Sequence, residues 1–318
     1  MVWYSQRKLR VLFIPEATGA GLMQSDNEPP VVSVLVTVFN RESFLAECLS
    51  SILASTWTNF EIIVVDDQST DSSFEVAASF AELDPRIRLF RNESNLGDYP
   101  NRNRAASLAI GKYLKFLDAD DVIYPQSLEL MVTSMRAHPE AALGLSWSTI
   151  DPHRAFPFVS SPRETYAAHY LGVSLLGVGP SASIIQKTAF DDVGGFSGKR
   201  FVGDSELWLR LVERWPLVSL PPSLVWWRRH EGQQMSAEQS DANVLNVRYE
   251  IEERFLDSSS LLDETEKRRA RIRMKRRHAR RLVSLALHER RLGDAIRSWR
   301  KSRLTVTGTL AALMPEKG

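Results

Sequence analysis

Cysteine is nearly absent from this chain: one residue, Cys48, in 318. A single thiol excludes an intrachain disulfide and suits a reducing compartment. Its place in a stretch patterned for a helix reads it as a small buried apolar residue. Long apolar runs are missing too. No window approaches the length needed to span a bilayer. Residues 1–23 mix Arg7, Lys8 and Arg10 with a short apolar patch, Val11 to Ile14, too brief for a secretory signal. The expectation is a cytoplasmic protein, free or held on a membrane surface. Net charge is close to nil, +1 from 40 basic and 39 acidic side chains, and internal repeats are lacking. Apolar sequence is present in quantity, 43% of the chain. That is enough for one large domain or two modest ones with a sizeable core.

Residues 1–30 read as an extension, closing in the polar stretch Ser25 to Pro30 with its Pro-Pro stop. Val31 to Val38 is β-branched and apolar, as a buried parallel strand requires. Further strands are predicted at Ile62 to Val65, Ile87 to Phe90 and Tyr113 to Leu117. A helix carrying Leu45, Leu49, Ile52 and Leu53 on one face follows the first strand. Others are predicted over Ser72 to Ala81, Asn101 to Ala109 and Pro125 to Met135, with Pro100 and Pro125 suited to first-turn positions. This alternation implies an α/β protein built on a parallel-dominated, Rossmann-like open sheet with flanking helices. After about residue 150 the pattern weakens. Asp151 to Pro162 reads as a loop, Ala182 to Gln186 and Leu224 to Arg229 as strands, and Asp204 to Trp215 as a helix. From Ala237 the composition is helical, and Leu292-Gly293-Asp294 reads as a break between two helices.

Two acidic clusters stand where strands run out: Val65-Asp66-Asp67-Gln68-Ser69-Thr70-Asp71 and Leu117-Asp118-Ala119-Asp120-Asp121. Open α/β sheets place ligands at those carboxyl ends. The first cluster reads either as a capping turn, with Asp71 ahead of the next helix, or as a base site. In the second case Asp67 accepts the ring N–H of a uracil-like base, while Thr37 and Phe39 line the same pocket. The second cluster puts three acids within four residues. It is either a solvated turn or a cation site, because carboxylate oxygens are hard ligands suited to Mg²⁺ or Mn²⁺ shared with substrate phosphates.

The segments Val32-Ser33-Val34-Leu35-Val36-Thr37-Val38-Phe39-Asn40, Asn95-Leu96-Gly97, Arg102-Asn103 and Gly111-Lys112-Tyr113 occur in order with both acidic clusters. Together they resemble a family 2 glycosyltransferase of the GT-A fold, from about Val31 to about Ser236. The resemblance implies a nucleotide-sugar donor, a divalent metal held through Asp118 and Asp120, and inversion at the anomeric carbon. It also implies a catalytic region over 31–236, with a nucleotide-sugar half to about 124 and an acceptor half beyond. Arg102 and Asn103 match the family's pair near the nucleotide; as plain sequence they are a helix start. Val193-Gly194-Gly195-Phe196 resembles the turn before the catalytic acid. Gly203-Asp204-Ser205-Glu206 then matches the family's Glu-Asp helix start, with Gly203 where a glutamate is usual. Asp204 is thereby the expected general base for the acceptor hydroxyl; otherwise it is an N-cap. Glu206 either compensates for the missing glutamate or is a plain surface acid. His230, after Arg228-Arg229, matches a segment that approaches the diphosphate and metal; as plain sequence it is a structural histidine.

Residues 267–281 hold ten lysines and arginines and no acid. They form part of a basic helical region, 237–318. This is either a solvated face or a surface helix drawn to anionic lipid headgroups, which suits a lipid-linked or glycan acceptor. Aromatics are not interleaved with the charges, which argues against nucleic acid. Two rival readings stand beside the transferase. A sugar-1-phosphate nucleotidyltransferase needs a glycine-rich basic loop after the first strand, and Val38-Phe39-Asn40-Arg41-Glu42 is not one. A degenerate donor-binding module is kept open by Gly203.

Overall fold

The computed structural model describes residues 29–146, 151, 153–230, 243–302 and 304. The first half runs β1 (Val32–Val38), α1 (Glu42–Leu53), β2 (Phe60–Asp66), α2 (Ser73–Leu83), β3 (Ile87–Arg91), α3 (Asp98–Leu108) and β4 (Tyr113–Asp118). Then follow β5 (Val122–Ile123), α4 (Ser127–Ala137), β6 (Leu143–Ser146), β7 (Phe158–Ser160), α5 (Pro162–Leu171), β8 (Ser183–Gln186), α6 (Lys187–Asp192), α7 (Gly203–Val212), β9 (Leu217–Leu220) and β10 (Val225–Trp226). The C-terminal helices are α8 (Asn243–Ser258), α9 (Glu264–Leu287) and α10 (Leu292–Lys301).

Strands β3, β2, β1 and β4 pair in parallel in that order, and the sheet continues through β8, β6, β9 and β7. Strand β8 runs antiparallel to both β4 and β6. Helices cover both faces, so β1 and β2 are apolar on both sides rather than alternating. Odd and even positions part into two layers. Leu35, Ile63 and Val65 face a core shared with Phe190, Trp208 and Leu211, whereas Val34, Val36 and Val64 face α1 and α4 through Leu45, Leu49 and Met131. Cys48 is fully buried in the second layer.

Gly111 shows why a motif glycine is required. A Cβ there would come within 2.6 Å of the Ser33 backbone nitrogen. Helices α5 and α9 each begin in a reciprocal capping box, Ser161 with Glu164 and Asp263 with Glu266. From the C-terminal region, Val244, Ile251, Phe255, Leu256, Ala270 and Met274 join the same core as the sheet.

Several expectations shift. The stretch predicted as a loop contains the short strand β7, which pairs antiparallel with β9. Pro125 precedes α4 rather than opening it, and its carbonyl accepts from the Thr56 N–H at 2.9 Å. The break ahead of α10 falls before Leu292, at a positive-φ residue, Arg290, and Leu292-Gly293-Asp294 opens the helix instead. Asp204 is not an N-cap, since α7 begins at Gly203 and its cap is Val202.

Candidate active site

The strand order reverses between β1 and β4, and there the register sets Thr37 beside Asp118. Such a switch point opens a crevice at the carboxyl ends of the strands. A cleft of about 1900 Å³ lies there. Thr37, Phe39, Asp67, Arg102, Asp118, Asp120 and Asp204 all line it; Phe39 is 46% exposed.

Asp67 is buried and closes the loop that precedes α3. Its Oδ1 accepts from the Leu96 N–H at 2.8 Å and the Asn92 amide at 2.7 Å. Its Oδ2 accepts from the Gly97 N–H at 2.9 Å. A carboxylate has about four acceptor positions, so Oδ2 keeps capacity toward the cleft. Asp71 accepts from the Ser73 N–H at 3.0 Å and the Glu42 N–H at 3.1 Å, tying together the starts of α1 and α2.

The second acidic turn is dense with charge. Asp118 accepts from Arg102 Nη2 at 2.7 Å, and Arg102 Nε donates to Asp98 at 2.7 Å. Burial works against the Arg102 guanidinium, but Asp118 and Asp98 outweigh it and hold it protonated. Asp120 accepts from Arg41 Nε at 2.9 Å and lies 2.9 Å from His230 Nε2. The ribbon of β5 and β10, with Val122 opposite Trp226, carries residues 228–230 back to this turn. Arg228 there donates to the Asp120 carbonyl at 2.9 Å and, through its N–H, to Asp121 at 3.2 Å.

Carboxylate oxygens of Asp118, Asp120 and Asp121 lie within 4.8 Å of one another. Burial, and next the charge of Asp118, raises the Asp121 carboxyl well above the usual range. Three clustered hard oxygen donors fit a divalent cation such as Mn²⁺ or Mg²⁺. Behind them Lys115 is fully buried, its Nζ 2.6 Å from the Phe116 carbonyl, and burial pulls it down to about 7.

The first turns of α3 gather the other parts. Asn101 reaches the Asp67 cluster through Asn92, at 2.9 Å. Asn103 is not a cleft residue. Its amide clamps Phe196, donating to the carbonyl at 2.8 Å and accepting from the N–H at 2.9 Å. That fixes the Gly194-Gly195 turn, where φ is 77° and 64°. Tyr99 stacks on Phe196 and meets α7, its hydroxyl 3.3 Å from the Asp204 nitrogen. Asp204 accepts from the Ser205 N–H at 2.6 Å.

Glu206 answers neither sequence reading. It is buried and takes Lys199 at 2.8 Å, Ser197 and Arg254. Burial pushes its carboxyl up, but those hydrogen bonds outweigh it and hold the group at about 2. Arg41, Tyr99, Lys115 and Arg228 were not singled out by sequence. Arg41 had a signal, a lone cation just past the first strand. For Tyr99 the hint was Gly203, a missing side chain whose space something else fills.

The profile described as "Glycosyl transferase family 2" matches residues 33–194. The chain is 39% identical over 112 residues to the uncharacterized glycosyltransferase YibD of Escherichia coli K12, a match covering 35% of this chain and 31% of YibD. It is 26% identical over 223 residues to glycosyltransferase GlyG of Streptococcus pneumoniae, covering 65% and 74% of the two chains. Among solved structures, Staphylococcus aureus TarS 1-349 in complex with UDP-GlcNAc shares the fold with a TM-score of 0.64 at 20% identity, over 84% of this chain and 81% of that one. Pyrobaculum calidifontis mannosyltransferase PcManGT, in complex with GDP-Man and Mn²⁺, gives 0.61 at 15% identity, over 90% and 79%.

Proposed function

The chain belongs to glycosyl transferase family 2, and from that premise we propose that it transfers one sugar, with inversion, from a nucleotide diphosphate donor to a hydroxyl of a glycan or lipid-linked acceptor. One observation carries the reading: Asp204 and the Asp118–Asp120 pair line the same cleft at the sheet's switch point. Asp67, Thr37 and Phe39 form the base pocket, with the spare capacity of Asp67 Oδ2 suited to a ring N–H, so uridine is the favoured nucleoside. Asp118 and Asp120 would hold Mn²⁺ or Mg²⁺, with His230 braced on Asp120. The cation would offset charge gathering on the leaving diphosphate. Arg102 and Arg41 keep the two carboxylates oriented. Asp204 takes the acceptor hydroxyl proton as the new glycosidic bond forms and the bond to the diphosphate breaks. The donors named for TarS and PcManGT support the nucleotide-sugar assignment by analogy of fold.

Nucleotide release from UDP-, dTDP- and GDP-sugars with Mn²⁺, Mg²⁺ or EDTA tests this. Metal-dependent release should vanish in Asp120→Ala. In Asp204→Asn it should fall by roughly 100-fold or more, the usual span of general-base catalysis, while donor binding by thermal shift persists. Donor binding with no turnover, even when acceptors are supplied, would favour a donor-binding module instead.

A further inference from the structure

Gly203 opens α7, the helix that carries Asp204, and Tyr99 fills the space where a side chain on Gly203 would stand. A Cβ on Gly203 would lie 2.8 Å from Cδ2 and Cε2 of the Tyr99 ring and 2.9 Å from Cζ. No side chain fits there while Tyr99 holds its place. The ring is held firmly: it is 5% exposed and stacks on Phe196 with centroids 5.0 Å apart. Phe196 is in turn clamped by Asn103, four residues along α3 from Tyr99. The Tyr99 hydroxyl accepts from the Asp204 N–H at 3.3 Å. Burial, then the charges of Asp204 and Asp98, drives the phenol further from ionisation, so it stays a neutral group that can both accept and donate.

Resting on the transferase reading above, we propose that Tyr99 is the positioning residue for Asp204: its ring occupies the volume left by Gly203 and its hydroxyl anchors the first turn of α7. The same helical turn joins Asp204 to the metal corner, because Asp98 and Arg102, on either side of Tyr99, link it to Asp118. Donor site and base are therefore set by one rigid turn of α3.

The experiment uses the full chain with Mn²⁺ and whichever of UDP-N-acetylglucosamine, UDP-glucose and GDP-mannose the wild type consumes, read as nucleotide release. Tyr99→Phe keeps the ring and removes the anchor. Its kcat should fall about tenfold with donor KM unchanged, as expected when a catalytic group is slightly misplaced. Gly203→Ala should cost a similar factor or more alone, yet add nothing in a Tyr99→Ala background, since the colliding ring is gone; such non-additivity marks a shared volume. Wild-type kcat in Tyr99→Phe would overturn the anchor. Losses that multiply in the double variant would overturn the shared volume. A wild-type chain that consumes no donor, across UDP-, dTDP- and GDP-sugars and with acceptors supplied, sinks the transferase reading itself. Full turnover in Asp204→Asn removes the base assignment and this role with it. Either is told apart from a failure confined to Tyr99.

Discussion

At the scale of single residues, Asp67 is a cleft carboxylate that the protein itself already engages. Asp67 is held by three donors from the loop before α3, so its identity is fixed by the protein before any ligand arrives. In Asp67→Asn an amide N–H₂ must face a backbone N–H or the amide must give up one acceptor position. A buried donor left unmatched costs on the order of 1–3 kcal/mol. We expect a urea midpoint lowered accordingly and donor affinity reduced in the same variant, measured by denaturation and by thermal shift with nucleotide. Unchanged stability would mean that the loop is held by other contacts. Much of this residue-level site was legible in the sequence, because both acidic turns end strands and their carboxylates have few roles there. The partners were not. Arg41 meets Asp120 across 79 positions and His230 meets it across 110, and neither distance is set by local spacing.

Elements show the same division between what is local and what is long-range. Strands β1, β2 and β4 were readable because a doubly covered strand must be apolar throughout. Helix α3 was readable only in part, since its early turns are mostly polar and meet Asn92, Asp118 and the Phe196 backbone, with Tyr99 alone among them entering the core. Helix α7 was visible from Leu207, Trp208 and Leu211, but the role of Glu206 within it was hidden, because Arg254 comes from α8, 48 positions away. That tie makes a pH prediction. Glu206 is held at about 2 against an ordinary value of 4.5. A depressed carboxyl contributes stability that is full above the unfolded value and is lost as pH falls toward the folded one. A gap of that size corresponds to roughly 3 kcal/mol. Glu206→Gln should therefore be less stable than wild type at pH 7, and the difference should shrink steadily between pH 4.5 and 2. Urea titrations of both chains at pH 7, 4 and 3 decide it: a constant difference would show that the carboxylate's charge is not what joins α7 to α8.

At the scale of the whole molecule, α9 has one buried face and one exposed basic face. Lys267, Ala270, Met274, His278, Leu282 and Leu285 turn α9 inward at helical spacing and are buried. Composition could not separate these positions from the basic ones among them. Several cations are spent on the protein: Arg271 pairs with Asp257 at 2.7 Å and Arg273 caps the Leu171 carbonyl at 2.8 Å. Arg268, Arg269, Lys275 and Arg280 are exposed on the opposite arc, around Ile272 at 46% exposure. Cations flanking an apolar side chain suit an anionic headgroup layer, and a lipid-linked acceptor would bring the enzyme to such a surface. Each cation near an anionic bilayer is worth about 1 kcal/mol, so the triple change Arg268→Gln, Arg269→Gln, Lys275→Gln should weaken vesicle binding roughly 100-fold. Co-sedimentation with vesicles of phosphatidylglycerol and phosphatidylcholine measures this. Binding should be absent on phosphatidylcholine alone and should fall as salt shortens the screening length. Nucleotide release in solution reports the cleft separately in the same variant. Equal sedimentation of wild type and triple variant would assign the arc to solvent, and the acceptor would then have to reach the cleft without help from α9.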